Sequence, residues 1–153
     1  MERTPRKSIL VAEDEKLLRE SLVELLQQEG YEVAQAAHGK EAYELALNRP
    51  FDLVLTDLRM PEMDGMELLR HLRQLAPQTP VVILTAFGTV ESAVAAMREG
   101  ASDYLLKPVQ FDDVLVRVQR AIELGELIGI DSTDADKELA PFVIRIERYQ
   151  GVV

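Results

Sequence analysis

Ile9-Leu10-Val11, Leu53-Val54-Leu55 and Val81-Val82-Ile83-Leu84 are apolar without interruption. A strand with one face in water alternates apolar and polar residues, whereas a run with no polar member has to be covered on both faces. That feature confines the chain to a sheet held between two layers, and the layers are written between the runs. Leu17, Leu18, Leu22, Leu25 and Leu26 recur at three- and four-residue steps and stop at Gly30, which predicts one helical face. Further helices are predicted over 39–47, closed by Asn48-Arg49-Pro50, around Met66, Leu69 and Leu72 before Pro77, and over 89–98 before Gly100. A last one spans 112–124, with Val114, Leu115, Val118 and Ile122 as its stripe. Strands are predicted over 8–12, 31–36, 51–56, 81–85 and 103–106. Such strand–helix alternation implies a parallel sheet with helices on both faces.

The rhythm breaks after residue 124. Asp131-Ser-Thr-Asp-Ala-Asp136 is polar and linker-like, and Phe142, Ile144 and Ile146 alternate with Val143, Arg145 and Glu147. The second pattern predicts one strand over about 141–149, which needs a partner because a lone strand is not stable. The expected organisation is a flexible N-terminus over 1–7, one α/β domain over 8–124 and a C-terminal extension over 125–153. A chain of 153 residues is ample for one such core.

Composition removes whole classes of chemistry. With no cysteine and only His38 and His71 as imidazoles, disulfides, thiolate metal sites and cysteine nucleophiles are excluded, and zinc is disfavoured. No apolar run approaches the roughly 20 residues of a membrane span, and the basic start MERTPRK precedes no signal-like stretch, so a cytoplasmic location is expected. The formal charge of −10 argues against direct nucleic-acid binding by this segment, because phosphate backbones call for clustered Lys and Arg. Most of the acids read as solvated surface.

Ligands of an open parallel sheet bind beyond the carboxyl ends of its strands. The residues at those ends are Glu13-Asp14-Glu15, Asp57, Thr85-Ala86 and Lys107-Pro108. Three carboxylates at one edge, Glu13, Asp14 and Asp57, repel one another unless a cation intervenes. Mg²⁺, a hard ion that takes oxygen ligands and keeps waters beside one or two carboxylates and a phosphate, resolves that conflict. Lys107 supplies a positive charge for a carboxylate or phosphoryl oxygen, and Thr85 a hydroxyl donor. Asp57 can then serve as the nucleophile of an acyl phosphate. Taken one at a time, the same residues have plain readings. Asp14 could cap a helix, Asp57 could organise a turn, Thr85 could end a strand, and Lys107 could be a surface lysine.

The stretches ILVAEDE (9–15), DLVLTDLRMPEMDG (52–65), VVILTAFG (81–88) and DYLLKP (103–108) together resemble a response-regulator receiver domain of two-component signalling systems. The resemblance covers about residues 8–124 and, through helix four and its flanks, leans towards receivers of NtrC-type activators. It implies a flavodoxin-like, doubly wound five-stranded parallel sheet of strand order 2-1-3-4-5. It implies Asp57 as phosphoacceptor, fed by a phosphohistidine of a sensor histidine kinase. Asp14 would be a direct Mg²⁺ ligand, Glu13 a ligand through water, and the backbone carbonyl of Arg59 would join Asp57 in the metal site. Thr85, the Ala86 backbone and Lys107 would bind the phosphoryl group. Thr85 and Tyr104 would form the switch that alters the surface of helix four, strand five and helix five, for dimerisation or partner contacts. Against these roles, an aromatic on a short strand such as Tyr104 can also be plain packing. Glu13 departs from the aspartate that many members carry there, and altered metal affinity is the expected result.

Two other functions fit parts of the pattern. A Mg²⁺-dependent phosphatase with an aspartate nucleophile needs a second acid two residues on, where this chain has Arg59. A flavodoxin-like electron carrier needs a phosphate loop after the first strand, where Glu13-Asp14-Glu15 would repel the FMN phosphate.

Overall fold

The computed structural model describes residues 6–86 and 88–130. Five strands and five helices alternate: β1 Ser8–Ala12, α1 Lys16–Gln28, β2 Glu32–Ala36, α2 Gly39–Asn48, β3 Leu53–Thr56, α3 Gly65–Leu75, β4 Val81–Thr85, α4 Val90–Arg98, β5 Asp103–Leu106 and α5 Phe111–Ile130. The strands form one parallel sheet in the order β2-β1-β3-β4-β5. Strand order reverses between β1 and β3, so the carboxyl ends of those two strands frame the crevice of a doubly wound sheet.

The uninterrupted runs occupy the middle of that sheet. Every residue of β1, β3 and β4 is buried, while the edge strand β2 exposes Glu32 and Gln35. Because side chains alternate across a strand, each run feeds two cores. Leu10, Ala12, Val54, Val81 and Ile83 pack with Leu68, Leu69 and Leu72 of α3 and Ala96 and Met97 of α4. Ile9, Val11, Leu53, Leu55, Val82 and Leu84 pack on the other face with Leu22 and Leu26 of α1 and Val114, Val118 and Ile122 of α5.

Local chemistry sets the helix starts. Asp64 caps α3 by accepting from the Glu67 N–H at 2.9 Å, and Thr89 and Ser92 form a reciprocal capping box on α4. At α2 the cap is a histidine: His38 Nδ1 accepts from the Glu41 N–H at 3.2 Å. Gly30 and Gly100, at φ +94° and +104°, take the left-handed conformation that lets the chain leave α1 and α4.

Several boundaries differ from expectation, those of α2, α4 and the start of α5 by a single residue. β2 and β3 begin at Glu32 and Leu53 rather than at 31 and 51, although Phe51 remains in the core. The last helix continues to Ile130, through Gly125. There a Cβ would lie 3.3 Å from the ring of Pro80, so the glycine marks a close approach to the start of β4 rather than a helix end. Lys7, at the end of the segment expected to be flexible, accepts the Glu32 N–H on its carbonyl at 2.9 Å and pairs with Glu126. The linker-like stretch and the strand expected over 141–149 lie outside the described residues.

Candidate functional site

The sheet's carboxyl edge collects charge where apolar strands end. Glu13 follows β1, and its backbone is held on both sides. Its N–H donates to the Ala36 carbonyl at 3.0 Å, and its own carbonyl accepts from Arg19 Nη1 at 2.8 Å. Asp57 follows β3 and donates its N–H to the Ala12 carbonyl at 2.9 Å. The two carboxylates are almost completely buried, at 1% and 5% exposure, whereas Asp14 faces solvent. One carboxylate oxygen from each of Glu13, Asp14 and Asp57 lies within 4.8 Å of the others.

Lys107, at the end of β5, joins the two buried acids. Its Nζ donates to Glu13 Oε1 at 2.6 Å and to Asp57 Oδ2 at 2.8 Å. Its own backbone N–H bonds the Thr85 carbonyl at 2.9 Å, which ties the lysine to the end of β4. The other Asp57 oxygen, Oδ1, accepts from the N–H groups of Leu58 and Arg59 at 2.6 and 3.3 Å. Asp57 therefore does organise its turn, while its second oxygen faces the cluster. Asp14 is not a helix cap: the N-cap of α1 is Glu15, with no side-chain bond.

Burial dominates the electrostatics. It pushes the Glu13 carboxyl up to about 7, against the opposing pull of the Lys107 ammonium and the Glu15 N–H, and the nearby Asp57 charge adds to the rise. Burial alone would lower Lys107, but its hydrogen bonds to Asp57 and Glu13 outweigh that and raise it. A permanently charged ammonium thus serves two buried acids, with a third acid at the mouth. The donor set consists of carboxylate oxygens only, carries more negative charge than one lysine offsets, and opens to solvent at Asp14. That chemistry fits a hard divalent cation.

The remaining predicted residues surround this centre. Thr85 is fully buried at the end of β4, Ala86 is exposed beside it, and Arg59 is exposed after Asp57. Tyr104 is buried, and its hydroxyl lies 2.7 Å from Ser92 Oγ in the α4 capping box. Gly88 makes room for it: a Cβ there would sit 3.0 Å from the Tyr104 hydroxyl.

Two positions at the site carry no signal in residue type alone. Gly65 opens α3 directly against the phosphoacceptor candidate, where a Cβ would lie 2.2 Å from the Asp57 carbonyl oxygen. Arg19 reaches a backbone carbonyl, a contact that no pattern of complementary side chains announces. Its place on the inward stripe of α1 beside Leu18 and Leu22 was the available clue.

Comparison with known proteins gives the family and the fold. A family model described as "Response regulator receiver domain" matches residues 9–119. The transcriptional regulatory protein ZraR of Escherichia coli is 42% identical over 124 residues, covering 81% of this chain and 28% of that protein. The regulatory protein AtoC of Escherichia coli is 41% identical over 119 residues, covering 78% of this chain and 26% of AtoC. This chain therefore spans about a quarter of the length of these relatives. Among solved structures, NtrX from Brucella abortus in complex with ADP superposes with a TM-score of 0.79 at 32% identity, over 84% of this chain and 30% of that one. A CheY-like receiver domain protein from Methanospirillum hungatei superposes with a TM-score of 0.77 at 32% identity, over 80% and 98% of the two chains.

Proposed function

The chain belongs to the response regulator receiver domain family of two-component signalling, and on that premise we propose that Asp57 is its phosphoacceptor. The observation that carries the proposal is the convergence on Asp57. Its buried carboxylate has one oxygen on two backbone N–H groups and the other on Lys107, with Glu13 and Asp14 beside it.

In the proposed reaction an Asp57 oxygen attacks the phosphorus of a phosphohistidine on a sensor histidine kinase. The P–O bond forms, the P–N bond breaks, and the electron pair returns to the imidazole nitrogen. Mg²⁺ would be held by Asp14 and Asp57, by Glu13 through water, and by the Arg59 carbonyl; when bound it neutralises charge on the phosphoryl oxygens. Lys107 reaches the same side of Asp57 and is suited to pair with a phosphoryl oxygen in place of the carboxylates it now holds. The Thr85 hydroxyl and the Ala86 N–H would complete the cradle. The Leu58 and Arg59 N–H groups orient the nucleophile before reaction, which lowers the cost of alignment.

The output follows as a population shift. Thr85 and Tyr104 act as the switch, and Tyr104 is already wired to α4 through Ser92. Val90 and Leu106 expose apolar area on the α4 and β5 surface, 62% and 55% respectively, which suits a dimer or partner contact. We assign the receiver unit to residues 8–124 and treat 125–153 as a C-terminal extension, although α5 itself runs on to Ile130. No helix among the described residues is long and apolar enough to cross a membrane.

The test is a search by mass spectrometry for a labile phosphoryl group on Asp57 after treatment with acetyl phosphate and Mg²⁺. One added phosphoryl on the wild type and none on Asp57→Ala is expected. Equal labelling of the two would overturn the assignment.

A further inference from the structure

The Arg19 guanidinium is bonded to the backbone of Glu13, a candidate metal-site residue. Nη1 donates to the Glu13 carbonyl at 2.8 Å, and Nε donates to Gln35 Oε1 of β2 at 3.2 Å. With the Glu13 N–H on Ala36, the peptide units flanking Glu13 are pinned to β2 on one side and to α1 on the other. The turn that follows carries Asp14 and Glu15, and the Glu15 N–H bonds Glu13 Oε2 at 3.0 Å. The planar guanidinium presents its donors in a fixed fork, which suits it to holding two acceptors on different elements at once.

We propose that Arg19 is a positioning residue of the carboxylate site: by clamping the Glu13 carbonyl it holds the β1–α1 turn so that the Glu13 and Asp14 carboxylates converge with Asp57 on a divalent cation. The inference rests on the Mg²⁺ site of the proposed function. It makes a prediction of opposite sign to simple electrostatics. Arg19 is a positive charge beside an anionic cluster, so its removal, acting through charge alone, tightens cation binding. Its removal as a clamp loosens the turn and weakens binding. Outer partners that orient metal ligands contribute about 10- to 100-fold in affinity.

The experiment is a Mg²⁺ titration of the unphosphorylated protein, followed by the backbone amide resonances of Asp14 and Asp57, on the wild type, Arg19→Met and Gln35→Met. Methionine keeps the apolar stem of Arg19, and Gln35→Met frees the arm without altering any charge. About tenfold weaker Mg²⁺ binding by Arg19→Met is expected, with a smaller loss, about two- to threefold, for Gln35→Met. Broadened Glu13–Glu15 amides are expected in both before metal is added. Binding by folded Arg19→Met that equals or exceeds the wild type overturns the positioning role while leaving the metal site standing. If Arg19→Met does not fold, an unchanged midpoint in Gln35→Met overturns it instead. A wild type that takes no Mg²⁺ overturns the metal site and this inference together.

Discussion

Glu13 concentrates the physical tension of the site in one side chain. It is 1% exposed, it is bonded to Lys107 and the Glu15 N–H, and its carboxyl is still pushed from 4.5 up to about 7. A folded-state value above the unfolded one means that the folded protein binds this proton more tightly. The associated stability is fully present below pH 4.5 and is lost as pH rises through about 7. Lys107 is raised from 10.5 and titrates far above that window. In metal-free buffer, the urea midpoint of the wild type should therefore fall between pH 5 and pH 8 relative to that of Glu13→Gln, which cannot ionise. Parallel pH profiles for the two proteins would count against the buried, strained carboxyl. At this scale the sequence is informative wherever function needs a particular residue type: chemistry at the strand ends points to Glu13, Asp14, Asp57 and Lys107, and the fold brings all four together. Arg19 is legible only through its place on the inward stripe of α1, because its partner is a main-chain carbonyl and the chain writes no complementary residue type for it.

Elements carry the site through close approaches rather than through extra bonds. The start of α3 lies so near the end of β3 that only glycine fits at position 65. Gly65→Ala places a methyl 2.2 Å from the Asp57 carbonyl oxygen. Either α3 retreats or the Asp57 turn shifts. A loss of about 1–3 kcal/mol in urea unfolding is expected from such overpacking, together with reduced labelling by acetyl phosphate. At the other flank, Ser92 accepts from the Thr89 N–H at 2.9 Å, meets the Tyr104 hydroxyl at 2.7 Å, and so joins the first turn of α4 to β5. Ser92→Ala should cost about 1 kcal/mol as a lost capping partner and speed amide exchange in the first turn of α4. Tyr104→Phe, which keeps the ring in the core, should reproduce the faster exchange at a smaller cost in stability. Unchanged exchange in both variants would show that the hydroxyl pair does not couple the two elements. Element boundaries were legible where burial on both faces made the apolar runs continuous, as in β1 and β4. They were not legible at Gly125: a glycine placed to pass Pro80 looks, in sequence, like one placed to stop a helix.

For the molecule as a whole, the excess of 27 acids over 17 bases takes its meaning from where the acids sit. Pairs such as Arg70–Glu99 and Arg49–Glu32 are exposed and contribute little. The strand-end cluster differs because the sheet itself buries it: two parallel strands on either side of the order reversal deliver Glu13 and Asp57 to one crevice, and β5 delivers Lys107 from a third. A cation entering there would bind the folded chain alone and stabilise it by mass action, about 2.7 kcal/mol at a concentration one hundred times its Kd. Ligand carboxylates must be deprotonated to bind it, so the gain depends on pH. Since Glu13 holds its proton up to about 7, Mg²⁺ should raise the melting temperature more at pH 8 than at pH 5.5. The Mg²⁺ increment at pH 8 is then opposite in sign to the metal-free loss over the same range. Asp14→Asn, at the exposed mouth, should remove most of the increment while leaving the metal-free stability close to that of the wild type. Ca²⁺ or added NaCl at matched ionic strength separates site binding from general screening of the net charge. An equal rise with NaCl would assign the effect to the surface acids; a rise specific to divalent ions and lost in Asp14→Asn would assign it to the crevice.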